Sequence, residues 1–110
     1  MNINEEGYDS LRQFIMDSWN IHELKDDGGN VVTRLNPSDD RVEWTVSGNT
    51  LTISTTLNGG DSDVTTPVTI TDSLIYQSGR ANPIMDSTLT ESVTINDEAS
   101  SRKINHQINL

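Results

Sequence analysis

One pair of alternating segments constrains the fold more than any other part of the chain. Val42, Trp44 and Val46 alternate with polar residues, and a similar alternation resumes over residues 51–57. A period of two places one side of a strand against a core and the other side in water. Gly48-Asn49 lies between the segments and is typical of a tight hairpin turn. The sequence therefore predicts an antiparallel β-hairpin here.

The same alternation continues through most of the chain. Further strands are predicted at 19–25, 30–36, 64–70, 74–77, 89–95 and 104–110. Thr71-Asp72 is expected to turn the chain between the predicted strands 64–70 and 74–77. We expect an antiparallel meander of about eight strands that closes into a small barrel, because closure leaves no free edge. A two-sheet sandwich is the alternative.

The N-terminal segment has a helical period instead. Tyr8, Leu11, Phe14 and Ile15 recur at steps of three and four and predict one helix over about residues 5–17. The 110 residues fit a single domain, 1–110, in which the barrel or sandwich begins at about residue 19.

Charge and composition exclude several classes of function. Seventeen acidic residues against seven basic ones give a formal charge of -10, which disfavours direct binding of nucleic acid but suits a basic protein partner. The absence of cysteine excludes thiol catalysis and zinc–thiolate sites. We predict no cofactor and no metal site.

Neither a membrane span nor a signal peptide is evident in the sequence. There is no apolar run of the length that crosses a bilayer, and the first residues lack a basic start and an apolar stretch. The sequence therefore indicates a soluble protein, cytoplasmic as written, or exported if a signal has been removed.

Part of the chain resembles a known family. Asp17-Ser18-Trp19-Asn20-Ile21 and the following Asp-Asp-Gly-Gly turn resemble the first strand of small bacterial lipocalin-like domains, in which a tryptophan follows a short helix. The segments 42–53 and 68–75 are similar to the strand pairs that follow. Asp17 stands where the family usually has a glycine. The resemblance implies a β-barrel binding module.

The last predicted strands contain the main candidate for a ligand site. Glu91 and His106 each interrupt an apolar alternation, so they would face each other if these two strands pair. Such a pair could anchor a ligand, or it could be an inter-strand salt bridge. Trp44 and Tyr76 complete the candidate ligand-binding set. His22 has the opposite parity to Ile21 and is expected to be exposed.

Acidic pairs in predicted turns are the candidate partner-binding surface. They are Asp39 with Asp40 and Asp61 with Asp63. The segment 59–63 superficially resembles a calcium loop but lacks the distal glutamate of an EF-hand, so a turn is the better interpretation.

No catalytic motif is present, since the sequence has neither a nucleophile elbow nor a glycine-rich phosphate loop before a helix. The first hypothesis is a non-catalytic, lipocalin-like binding module for a small molecule or a protein partner. The alternative is an acidic inhibitor of the kind encoded by phages, which binds a basic host protein that handles nucleic acid.

Overall fold

A computed structural model describes residues 3–110, which form one helix followed by seven strands. The elements are α1 Glu5–Ser18, β1 Ile21–Asp26, β2 Val31–Leu35, β3 Val42–Ser47, β4 Thr50–Asn58, β5 Val68–Tyr76, β6 Met85–Ile95 and β7 Ser101–Asn109. None of the helices in this range is long and apolar enough to cross a membrane.

The strands lie in two antiparallel sheets. One has the order β2-β1-β5-β6 and the other the order β3-β4-β7. The mainly β, antiparallel prediction with one N-terminal helix is confirmed, but within residues 3–110 the sheets do not join into a closed barrel. The strand count is seven rather than about eight, because Thr71-Asp72 does not turn the chain. Both residues lie inside β5, which is hydrogen-bonded to β1 on one side and to β6 on the other.

The predicted hairpin is confirmed as β3 and β4. Trp44 lies opposite Ile53, and Ser47 lies opposite Thr50 at the turn. Gly48 has a φ of 59°, a left-handed conformation that glycine adopts without a steric penalty. The two central residues of the turn are therefore Gly48 and Asn49, as the sequence indicates.

The interior between the sheets is divided into three layers. One apolar layer consists of Leu24, Leu57, Val64, Ile70, Ile95 and Ile104. The other consists of Ile15, Leu51, Ile53, Ile75 and Ile108. Between them lie four buried polar residues, Thr55, His22, Ser73 and His106, which we call the polar layer. On each of the four strands, a buried apolar residue lies two positions before or after the polar residue, or at both places. The polar layer is therefore enclosed by the apolar layers.

The helix packs on one end of this interior by a narrow line of residues. Ile15 is fully buried in the second apolar layer, and Met16 and Trp19 pack against the same layer. Leu11 and Phe14 are exposed, contrary to the predicted apolar stripe. The predicted stripe was too wide, because Ile15 is the only apolar residue of the helix that is buried.

A register break interrupts the pairing of β5 with β6. Ile70 lies opposite Val93, but Asp72 lies opposite Thr88, so the single residue Thr71 faces the segment Leu89–Ser92. The extra residues of β6 cannot join the ladder and form a bulge. This break lies at the open side of the sandwich, where β6 and β7 end their respective sheets.

Candidate functional site: a polar layer that opens between β6 and β7

The polar layer draws one residue from each of four strands and from both sheets. His22 of β1 and Ser73 of β5 belong to the four-stranded sheet, and Thr55 of β4 and His106 of β7 belong to the three-stranded one. All four are buried, and His22, Thr55 and Ser73 are completely so. Buried polar groups need hydrogen-bond partners, and these residues supply them to one another across the sandwich.

Three short hydrogen bonds join the layer into a chain. The Oγ1 of Thr55 lies 2.6 Å from the Nδ1 of His22, and the Nε2 of His22 lies 2.6 Å from the Oγ of Ser73. The same Oγ lies 2.8 Å from the Nδ1 of His106. The serine hydroxyl therefore bridges two imidazoles that belong to different sheets.

The burial of His22 overturns the expectation that it is exposed. The parity argument assumed that β1 has one buried and one exposed face, with Ile21 on the buried one, whereas both faces are buried from Ile21 to Leu24. Ile21 packs with Leu74 and Tyr76 in a separate cluster on the opposite side of the sheet from the polar layer. The next residue, His22, therefore faces the other sheet.

Both histidines are held in the neutral form. Burial lowers the pKa of His22 from 6.5 to about 3, and the nearby His106 lowers this pKa further in the same direction. Burial also lowers the pKa of His106, against a smaller opposing effect from Asp86. At neutral pH each imidazole consequently has one N–H and one acceptor nitrogen.

The polar layer reaches the surface in a groove of about 310 Å³ between β6 and β7, which we call the seam groove. It is lined by Ser87–Thr90 of β6, by Asn105–Gln107 and Asn109 of β7, and by Ser73 of β5. This lining contains hydroxyls, amides, one imidazole and one apolar side chain, Leu89, and none of its residues carries a formal charge at neutral pH. The groove can therefore offer hydrogen bonds without an ionic contact.

The connectivity of Ser73, His22 and Thr55 is that of a nucleophile, a base and an orienting group, but three features differ from those of a catalytic triad. A general base works best with a pKa near the working pH, and the pKa of His22 is about 3. The orienting residue is a neutral threonine, which cannot stabilise an imidazolium as a carboxylate does. Ser73 is also completely buried. The arrangement fixes the orientation of the His22 ring through both of its nitrogens.

Of the four residues predicted to bind a ligand, His106 is the one at the seam groove. Glu91 is exposed on β6, and β6 and β7 lie in different sheets, so the strand pairing that would join Glu91 to His106 is not formed. Trp44 packs against the second apolar layer, and its Nε1 is buried without a hydrogen-bond partner among residues 3–110. Tyr76 lies in the separate cluster beyond the sheet, where its hydroxyl donates to Glu23 at 3.2 Å.

Three of the four predicted acidic-surface residues surround one guanidinium. Arg41 contacts Asp39 at 2.9 Å, Asp61 at 3.2 Å and Asp63 at 2.8 Å. Hydrogen bonds from Arg41 lower the pKa of Asp39 to about 2 and also lower that of Asp63. In the segment 59–63, which superficially resembles a calcium loop, both aspartates therefore contact a guanidinium. Asp40 is exposed and forms no ion pair with residues 3–110.

Sequence reasoning missed His22 and Ser73, and it recognised Thr55 as an inward polar residue without assigning it to the site. Thr55 follows Ile53 and precedes Leu57 at the inward parity of β4, which is the same signal that marked His106 between Ile104 and Ile108. A polar residue at an inward position in two paired strands could have indicated a shared buried site. Ser73 gave no such signal, because the predicted turn separated it from its strand.

No cluster of three or more potential metal-ligating side chains occurs within the described range. Comparison with protein-family models, with curated proteins and with solved structures gave no match for this chain.

Proposed function

We propose that the protein is a non-catalytic binding module that holds a small, uncharged polar molecule in the seam groove. The observation that carries the proposal is that His106 and Ser73, both fixed in the buried polar layer, line a groove whose other polar groups are hydroxyls and amides. Groups fixed by a buried network lose little freedom when a ligand binds, which favours binding. The lipocalin-like resemblance supports a binding role, with the site at the edge of the sandwich rather than inside a barrel.

Size and charge define the ligand. The groove volume of about 310 Å³ lies near the lower end of the roughly 300–1,000 Å³ that is usual for small-molecule sites. A protein–protein interface needs roughly 800 Å² on each side, far more than this groove offers. An anion would meet no cation in the lining and would be repelled by the formal charge of -10. A neutral molecule that bears hydroxyl or carbonyl groups fits these conditions.

The experiment is a backbone amide NMR titration with methyl α-D-glucopyranoside as the neutral polar probe. We expect saturable shifts confined to residues 87–90 and 105–109. The blocking variant is Ser87→Phe, which places a ring in the groove, and the matched control is Ser92→Phe, at an exposed position of β6 outside the lining. The first should abolish the shifts and the second should leave them. Shifts elsewhere, or equal binding by both variants, would contradict the proposed site.

A second candidate function rests on the Arg41 cluster. Three carboxylates share one guanidinium, so the cluster keeps a formal charge of -2 (three negative charges and one positive), next to the unpaired Asp40. This surface supports the alternative of an acidic inhibitor for a basic protein partner. With an oligolysine peptide as the probe, Asp40→Asn should weaken salt-dependent binding more than Asp27→Asn, which removes the same charge from the β1–β2 turn. Equal weakening would contradict a specific role for this surface.

A further inference from the structure

The hydrogens of the buried hydrogen-bond chain can be arranged in two ways, in which the donors and acceptors are exchanged. The hydroxyl of Ser73 has one hydrogen, so it donates to one imidazole and accepts from the other. If it donates to His106, then His22 donates to Ser73 and accepts from Thr55. If it donates to His22 instead, then His106 donates to Ser73, and His22 donates to Thr55.

Thr55 distinguishes the two directions. Its hydroxyl is completely buried, and its only side-chain hydrogen bond within residues 3–110 is the one to His22. In the second direction Thr55 would accept from His22, and its own hydrogen would have no acceptor within that range. A buried donor without an acceptor loses its hydration and gains nothing in return. In the first direction the hydroxyls of Thr55 and Ser73 and the N–H of His22 all have acceptors, and the one hydrogen left without a protein acceptor is that on the Nε2 of His106.

The free end of the chain is the Nε2 of His106. Its Nδ1 is bound to Ser73, and the Nε2 has no hydrogen-bond partner within residues 3–110. The only fully buried side-chain nitrogen or oxygen left without a partner in that range is the Nε1 of Trp44, so the Nε2 of His106 retains contact with solvent. His106 lines the seam groove, and this nitrogen is therefore the atom of the polar layer that can meet a ligand there.

We infer that Thr55, His22 and Ser73 are positioning residues that make the Nε2 of His106 a hydrogen-bond donor, so that the groove selects ligands with an acceptor oxygen. The donated bonds run from Thr55 to His22, from His22 to Ser73 and from Ser73 to His106, which leaves the proton of His106 on Nε2. The chemical class of the ligand is a neutral molecule with an exposed carbonyl, ether or hydroxyl oxygen. This selection rests on the proposed function of the groove, whereas the direction of the chain does not.

The direction is tested by two-bond ¹H–¹⁵N correlation spectra of the histidine side chains at pH 7.5, which distinguish the two neutral tautomers. We expect both His22 and His106 to be neutral, with the proton on Nε2. Thr55→Val preserves the shape of the side chain but removes the partner of the Nδ1 of His22 in either tautomer. The first direction then loses its advantage, so the Nδ1–H form of His106 should become detectable. The control Thr52→Val, on the same strand at the opposite parity, should leave both tautomers unchanged. A proton on the Nδ1 of His106 in the unaltered protein, or an unchanged spectrum in Thr55→Val, would overturn the inference.

The selection is tested with two probes of opposite character. N,N-dimethylacetamide only accepts hydrogen bonds, and methylammonium only donates them. We expect the first to shift the Nε2 resonances of His106 and the second to leave them unchanged, although the acidic protein attracts the cation. A larger response to methylammonium would overturn the selection. If neither probe affects the groove while the proton lies on Nε2, the proposed binding function fails and the inferred direction stands.

Discussion

The neutral histidines should make the protein sensitive to mild acid. The pKa of His22 is 6.5 in an unfolded chain and about 3 in the folded protein. Between these values the unfolded state binds a proton that the folded state does not, so stability is fully present above pH 6.5 and is lost as the pH falls toward 3. At pH 5 the linkage amounts to a loss of about 2 kcal/mol relative to pH 7.5. His106, whose pKa is also lowered, adds to the loss.

This pH window separates the histidines from the carboxylates. The pKa of Asp39 falls from 3.8 to about 2 on folding, so its contribution to stability is lost only below about pH 4. Net stabilities of small domains are about 5–15 kcal/mol, so a loss of about 2 kcal/mol is readily measured. The assay is urea denaturation followed by tryptophan fluorescence at pH 7.5, 6 and 5.

The matched variants are His22→Gln and His106→Gln. Glutamine keeps an amide that can bond to Ser73 and does not titrate, so His22→Gln should lose less than half as much stability as the unaltered protein between pH 7.5 and 5. His106→Gln should keep most of the loss. An unfolding midpoint that does not change between these pH values, or a His22→Gln variant with the full dependence, would refute the reasoning.

Two further predictions concern the free energy of unfolding. Arg41→Met should lower it by roughly 1–2 kcal/mol, because the variant leaves three half-buried carboxylates facing one another, whereas Lys103→Met, which removes an exposed 3.7 Å ion pair, should lower it by less than about 0.5 kcal/mol. Equal losses in urea denaturation would show that the Arg41 contacts are not stabilising. Gly59→Ala would place a Cβ 1.8 Å from the backbone oxygen of Asp97 and should lower the free energy of unfolding by about 1–3 kcal/mol. A Cβ at Gly60 would lie 3.6 Å from its nearest neighbour, so Gly60→Ala should change this free energy by no more than about 0.5 kcal/mol. Equal melting temperatures for the two variants would contradict the close approach of Gly59 to Asp97.

Local sequence patterns predicted the secondary structure more accurately than they predicted the candidate site. The hairpin of β3 and β4 and the helix follow from period and turn chemistry, which act within a few residues. The two-sheet arrangement depends on which strands are neighbours, and neither period nor composition specifies that. The Glu91–His106 pair failed for this reason, since consecutive strands β6 and β7 were assumed to hydrogen-bond to each other.

The polar layer was only partly accessible to the same reasoning. His106 was recognised because it breaks an apolar alternation. His22 was assigned to the wrong side because Ile21 was taken to face the main core, whereas Ile21 packs in a separate cluster on the other face of β1 and both faces of this strand are buried. Ser73 becomes visible only once β5 is known to be continuous through the predicted turn.

The register break in β6 also bears on how this protein can change over evolutionary time. Leu89–Ser92 faces a single residue of β5, so the length of this segment is not dictated by the ladder. Doubling the length of a flexible loop costs only about 0.6 kcal/mol in closure entropy. Insertions or deletions here would reshape one wall of the seam groove while the apolar layers and the histidine chain stay intact. The shape of the seam groove and the stability of the fold can therefore diverge independently in descendants of this sequence.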